Sequence, residues 1–195
     1  MAYRRNTLKR RSKKPIKLKF LGWERVKFLK AKSKALPKYA KPLEKYLLSL
    51  AGYFALISTE ESPLEIKQIL TRGEVFEGEA KRRVGGRSSD CHANCCKFFT
   101  KNIQNTIVTG YALSDDGIWR QHSWLINPSG QLIETTLPRL LYFGYKMTPE
   151  EAVFFASSNL REEFLPILES PKYREFQNLI LKIARNQGVD LGALS

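Results

Sequence analysis

Apolar residues recur along this chain in two periods, and the switch between them outlines the domain. From about Pro42 to Ser58, Leu43, Tyr46, Leu47, Leu50, Phe54 and Ile57 fall at i, i+3, i+4, i+7, i+11 and i+14, which predicts an amphipathic helix. Pro63 to Leu70 predicts a second helix, with Ser62 as N-cap and Pro63 at the first helical position. Residues 71–87 carry no periodic signal and read as a basic, Gly-containing loop. A helix follows from Cys91 to about Asn102. The pattern then becomes strand-like over Ile107–Leu113, Ile118–Ile126, Gln131–Thr136 and Leu141–Met147. Asp115-Asp116-Gly117 and Asn127-Pro128-Ser129-Gly130 are turn signals between the first three of these strands. Thr148-Pro149-Glu150-Glu151 opens a helix with a capping box. Phe176, Leu179, Ile180, Ile183 and Ala184 line one face of a last helix over Lys172–Asn186, which Gly188 stops.

Composition adds an asymmetry. The 195 residues are 43% apolar and include 22 aromatics, enough for one core. Residues 1–46 hold 17 Lys or Arg against Glu24 and Glu44, a net of +15, while the remainder is near −1. Residues 1–38 therefore read as a basic arm, largely disordered (1–19) or weakly helical, and 39–195 as a single domain. Within residues 1–46, Tyr3, Phe20, Trp23 and Phe28 are interleaved with the charges and offer stacking surfaces for a non-specific nucleic-acid partner. The apolar stretch at Leu47–Ile57 is too short and polar to span a bilayer, and the N-terminus has no secretory h-region. Three cysteines, two of them adjacent, make a poor disulfide framework and point to a reducing compartment, the cytoplasm.

The chemistry centres on Cys91. Gly85-Gly86 leads into Ser88, Ser89 and Asp90, three N-cap candidates, and Cys91 then sits in the first helical turn. Free N–H groups and the helix dipole at that end favour thiolate. His122 lies on a later strand and Glu134 on the next. If Pro128-Ser129-Gly130 forms a three-residue loop, Asn127 pairs with Gln131 and His122 faces Thr136. Glu134 is then a diagonal neighbour of His122 on the same sheet face, together with Trp124. A slip of one residue would offer Thr135 instead, and Asn127 is an alternative orienter. A thiol, an imidazole and an acid in this order form an activated cysteine nucleophile. His92 points about 100° away from Cys91 on the helix and does not serve as its base. Cys95 and Cys96 read as core packing. Zinc is disfavoured, since His92 and Cys96 share one helix face and Cys91 and Cys95 another, so one helix cannot close a tetrahedral site. No metal or organic cofactor is implied.

Cys91, Val108-Thr109-Gly110-Tyr111, His122-Ser123-Trp124 and Glu134-Thr135-Thr136 stand in the order of a helix-initial Cys, a V-x-G-Y strand, H-A-W and D-x-T. This arrangement resembles the transglutaminase-like branch of the papain-like cysteine protease superfamily. It is also similar to small uncharacterised phage and bacterial proteins with C-x-x-N, G-Y-A, H-A-W and D-x-T blocks, echoed here by Cys91–Asn94, Gly110-Tyr111-Ala112 and Tyr142-Phe143-Gly144. The likeness covers residues 85–146, with Ser in place of Ala after the His and Glu in place of Asp. It implies an α+β papain-like core, in which the Cys helix packs on a small antiparallel sheet flanked by N- and C-terminal helices. It also implies acyl transfer on a protein or peptide amide or thioester, by hydrolysis or transamidation. The competing expectation is a basic-armed nucleic-acid-binding protein whose papain-like core is inactive.

Overall fold

The computed structural model describes residues 21–77, 80–82, 89–160 and 171–186. Disorder over residues 1–19, the Gly85-Gly86 turn, Ser88 as a cap and the Gly188 stop lie outside them. The described residues form an α+β fold. Its six helices are α1 (Trp23–Ala35), α2 (Lys41–Leu50), α3 (Pro63–Arg72), α4 (Cys91–Lys101), α5 (Pro149–Asn159) and α6 (Arg174–Asn186). Its seven strands are β1 (Phe54–Leu56), β2 (Glu74–Phe76), β3 (Lys81–Arg82), β4 (Thr106–Leu113), β5 (Ile118–Ile126), β6 (Leu132–Glu134) and β7 (Leu141–Lys146).

The strands make one sheet in the order β2-β7-β4-β5-β6-β3, with β1 added against β5. The sheet is mixed, which corrects the expectation of a small antiparallel one. β1 runs parallel to β5, and β3 parallel to β6. Three of the strands lie in segments read as helix or loop. The helix expected over Pro42–Ser58 ends at Leu50, and Phe54–Leu56 is strand. Gly52 at φ +88° breaks the helix. Beyond it the apolar spacing at Phe54 and Ile57 fits a helix period by coincidence. In the 71–87 segment, β2 and β3 are only three and two residues long, too short to carry a period.

The N-terminal side also differs from a bare arm. α1 buries Leu29, and Leu36 just beyond it joins the core around Leu43, Leu47 and Trp119. The Ser33 hydroxyl and Lys41 Nζ both bond the Glu44 carboxylate. Domain packing thus reaches back to residue 29, because two leucines seven apart make a stripe too narrow to register among so many lysines. Each such side chain contributes about 1.5–3 kcal/mol when fully buried.

The first two core clusters share one face of the sheet and the third lies on the other. Tyr111, Leu113, Trp119, Phe143 and Tyr145 pack under α2 and α3. Ile107, Leu125 and Ile133 pack under α4, α5 and α6. Val108, Trp124, Ile126, Leu132 and Tyr142 cluster together, with Phe76 packed against them. Capping boxes start α3 (Ser62 with Glu65) and α5 (Thr148 with Glu151), where the sequence places them.

Strand β5 positions the site. One edge pairs with β4 along its length. The other edge is shared: β1 pairs with Ile118–Arg120, and β6 with Leu125–Ile126. Residues 121–124 have no strand partner on that edge among the described residues, and the start of α4 bonds there.

Candidate active site

The α4 helix begins at Cys91, with Asp90 at the N-cap position and Ser89 at φ +67°. The Asp90 side chain makes no cap hydrogen bond. The first intrahelical bond runs from Asn94 N–H to Asp90 C=O. The N–H groups of Cys91, His92 and Ala93 therefore precede the helix's own ladder and are free of it. A left-handed non-glycine residue two positions before the thiol is local backbone strain of the kind that gathers at functional sites.

The β5–β6 hairpin has the register that the turn predicts. Asn127 N–H bonds Gln131 C=O at 3.0 Å, Gly130 closes the loop at φ +79°, and Leu125 pairs with Ile133. Glu134 is thereby brought to His122. Its Oε2 lies 2.9 Å and its Oε1 3.2 Å from His122 Nε2. The thiol is the other neighbour of the imidazole: the side chains of Cys91 and His122 interact, the imidazole drawing the thiol's pKa down and the thiol drawing the imidazole's up. With Nε2 taken by the carboxylate, Nδ1 is the nitrogen left for sulfur. Sequence reasoning and geometry thus agree on bringing Cys91, His122 and Glu134 together. Asn127, the alternative orienter, stays in its turn, where Oδ1 accepts from Ser129 Oγ and Gln131 N–H. Thr135 points to the opposite side, with Oγ1 3.8 Å from Cys95 Sγ.

The electrostatics follow from these partners. Burial alone would raise the Cys91 pKa. The hydrogen bond and charge of His122, with the backbone N–H groups of Ser123 and His92, outweigh burial and leave it below its ordinary value. The Ser123 N–H is available because it lies in the unpaired stretch of the β5 edge. Burial would lower the His122 pKa, but Cys91 and Glu134 raise it. Glu134, 0% exposed, would be pushed up by burial. His122 and the donors around it pull it down instead. Those donors are Thr136 N–H at 2.7 Å, Thr136 Oγ1 at 2.9 Å and Tyr142 OH at 2.8 Å. All three directions favour a thiolate–imidazolium pair backed by a carboxylate. By contrast, burial drives the thiols of Cys95 and Cys96 up, the second to about 12.

Sequence reasoning missed Tyr142 and Thr136, which hold the carboxylate. Trp124, which the strand pattern puts on this face, stacks beside His122 with centroids 6.2 Å apart and planes 19° apart. Its ring needs Gly144: a Cβ there would lie 2.8 Å from Trp124 Cη2 and 2.3 Å from Thr109 O. Gly110 lies directly between His122 and Gly144 in the sheet register. The glycines of the V-x-G-Y and Y-F-G blocks thus make a side-chain-free row beside the imidazole. Their signal was visible as motif letters, but not their pairing.

His92 faces away from the thiol, as its helix position predicts. Nδ1 lies 2.7 Å from Ser123 Oγ, which in turn donates to Thr109 Oγ1 at 3.1 Å. Burial and the charge of His122 push His92 down to about 4. Among the described residues, no group of three or more His, Cys, Asp or Glu is placed to hold a metal ion. No helix there is long and apolar enough to cross a membrane. All three cysteines are free thiols.

Comparisons with protein-family models, curated proteins and solved structures found no match.

Proposed function

We propose that this chain is a cysteine-dependent acyl-transfer enzyme with a papain-like, transglutaminase-like core, acting on a protein or peptide amide or thioester. The observation that carries the reading is the continuous chain from thiol through imidazole to carboxylate, with the thiol at a helix N-terminus. The Cys91 thiolate attacks the carbonyl carbon and forms a C–S bond, while the carbonyl electrons move to oxygen. The Cys91 N–H at the helix start stabilises that oxyanion. The His122 imidazolium then gives its proton to the leaving nitrogen or sulfur as that bond breaks. A water, deprotonated by His122, attacks the thioester, and the C–S bond breaks to return the thiolate. Hydrolysis is favoured over transamidation because water is the default acceptor. Glu134 acts on His122 alone, fixing its tautomer and stabilising its charge. Three free thiols suit a reducing compartment, so we assign the protein to the cytoplasm.

The test is an acyl-enzyme. On mixing with p-nitrophenyl acetate, the thiolate takes the acetyl group and releases p-nitrophenolate. Intact-mass and peptide analysis is expected to find one acetyl group on Cys91, absent in Cys91→Ala. Acetylation spread over lysines with none at Cys91 contradicts the proposal.

A polyanion-binding adjunct is supported by α1, where Trp23 is 72% exposed and Arg25 and Lys32 both sit over the exposed Phe28 ring. Binding of duplex DNA through this segment falls with salt by a slope of about −0.9 per phosphate contacted.

A further inference from the structure

A cavity of about 600 Å³ opens on the side of β5 opposite His122. It reaches the start of α4: His92 lines it and gives its backbone N–H to the Cys91 thiol, while Gln121, next to His122 on β5, lines it from the sheet face opposite His122. The size is that of a ligand site rather than a packing defect.

Its charge is one-sided, although the chain beyond residue 46 is close to neutral, at about −1. The chain carries 33 Lys or Arg against 19 Asp or Glu. Yet three glutamates, Glu61, Glu65 and Glu151, line the cavity, with no Lys or Arg among its described lining residues. Glu151 is already neutralised by Arg72, which it meets at 2.5 and 2.8 Å. Glu65 caps α3 by accepting from Ser62 N–H at 2.6 Å, and has no basic partner among the described residues. His92 is neutral near pH 7 and brings no positive charge.

Glu61 is the decisive residue. It is only 5% exposed. Its Oε1 accepts from Tyr111 OH at 2.5 Å, but its Oε2 is buried with no hydrogen-bond partner among the described residues. A buried carboxylate oxygen without a donor is costly, and native structures rarely leave one unless something else fills the role. Burial, and next to it the Glu65 charge, push Glu61 up to about 7, although the Tyr111 bond acts the other way. A cation on an apolar stem would satisfy the orphaned oxygen. Ile69, Met147 and Phe155 supply apolar wall for the stem.

We propose that this cavity receives the cationic side chain, lysine or arginine, of the peptide whose carbonyl meets Cys91, with Glu61 and Glu65 binding its charged head. The assignment rests on the acyl-transfer reading for the role of Cys91, but the binding itself does not depend on catalysis. The cavity thus gives the site a preference for basic peptides, set by two carboxylates on its wall.

The experiment uses full-length Cys91→Ala protein and three blocked tripeptide amides, Ac-Ala-Lys-Ala, Ac-Ala-Arg-Ala and Ac-Ala-norleucine-Ala, titrated by NMR. The lysine or the arginine peptide is expected to bind roughly ten-fold or more tightly than the norleucine peptide, in line with a hydrogen bond to a charged group. Glu61→Gln is expected to remove most of that difference while leaving the norleucine peptide unchanged. Iodoacetamide labelling of Cys91 in Glu61→Gln with the native thiol checks that the site is intact and is expected to match the unmutated protein. Equal binding of all three peptides, or a preference that survives Glu61→Gln, overturns the proposal even when Cys91 is reactive. A basic preference lost in Glu61→Gln, in a protein whose Cys91 forms no acyl-enzyme, supports the cation site and removes only its link to acyl transfer.

Discussion

Two glutamates sit buried on either side of β5, and they behave in opposite ways. Glu134 and Glu61 are 0% and 5% exposed, and each receives a tyrosine hydroxyl, from Tyr142 and Tyr111. Burial pushes both pKa values up. Glu134 nevertheless ends below its ordinary value, and Glu61 ends near 7. The difference is in the remaining partners. Glu134 has an imidazole and two donors from Thr136, so both oxygens are satisfied. Glu61 has one donor, a like charge at Glu65 and an orphaned oxygen. Burial alone therefore does not tell whether a carboxylate is charged. The donor count and the sign of the neighbour decide it, and here they separate a finished hydrogen-bond chain from a cavity wall still short of a cation.

The comparison can be broken at Glu134 first. Glu134→Gln keeps the shape but removes the charge behind His122. The rate of p-nitrophenyl acetate turnover is expected to fall by roughly 10²–10⁴-fold, measured by nitrophenolate release. A change of less than three-fold means that His122 does not need the carboxylate.

The two residues also give stability slopes of opposite sign. Glu134, with a lowered pKa, stabilises the fold above its unfolded value of about 4.5, and this is lost as pH falls through the folded value. Glu61 is raised, so the folded state holds its proton longer than the unfolded chain. Its contribution is complete below about 4.5 and is lost as pH rises through about 7. Denaturant unfolding of the unmutated protein and of Glu61→Gln should therefore diverge between these two pH values. The stability of the unmutated protein relative to the variant is expected to drop by up to about 3 kcal/mol across that window. Parallel curves would show that Glu61 ionises normally.

A smaller effect sharpens the Glu134 side. Gly144→Ala places a methyl against Trp124 and the Thr109 carbonyl. It is expected to cost about 1–3 kcal/mol and to lower Cys91 reactivity, because the ring stacked beside His122 must move. Unchanged stability with unchanged labelling would mean that the glycine row has no role in the site.

The Glu134 side was the more legible of the two in the sequence. Asn127-Pro128-Ser129-Gly130 sets a loop length, loop length sets register, and register brings Glu134 to His122. The Cys helix, Thr148 cap and four main strands follow from equally local signals. The Glu61 side was not legible, because its parts come from distant segments. Glu61 precedes α3, Tyr111 is on β4 and His92 on α4, and no short spacing links them. The errors have the same origin. Leu36 packs with residues far along the chain, and β1 owes its existence to parallel pairing with β5. Tertiary partners outweighed a helical period that Gly52 could not sustain.

The central claim is that Cys91 is held as a thiolate by His122. Its most direct measurement is the rate of iodoacetamide alkylation at each cysteine from pH 5 to 10, resolved by peptide mass spectrometry. The account predicts that Cys91 reacts with a midpoint below the ordinary value for a thiol, ahead of Cys95 and Cys96. It also predicts that His122→Ala moves that midpoint up. A Cys91 midpoint at or above the ordinary value, unmoved by His122→Ala, would contradict it.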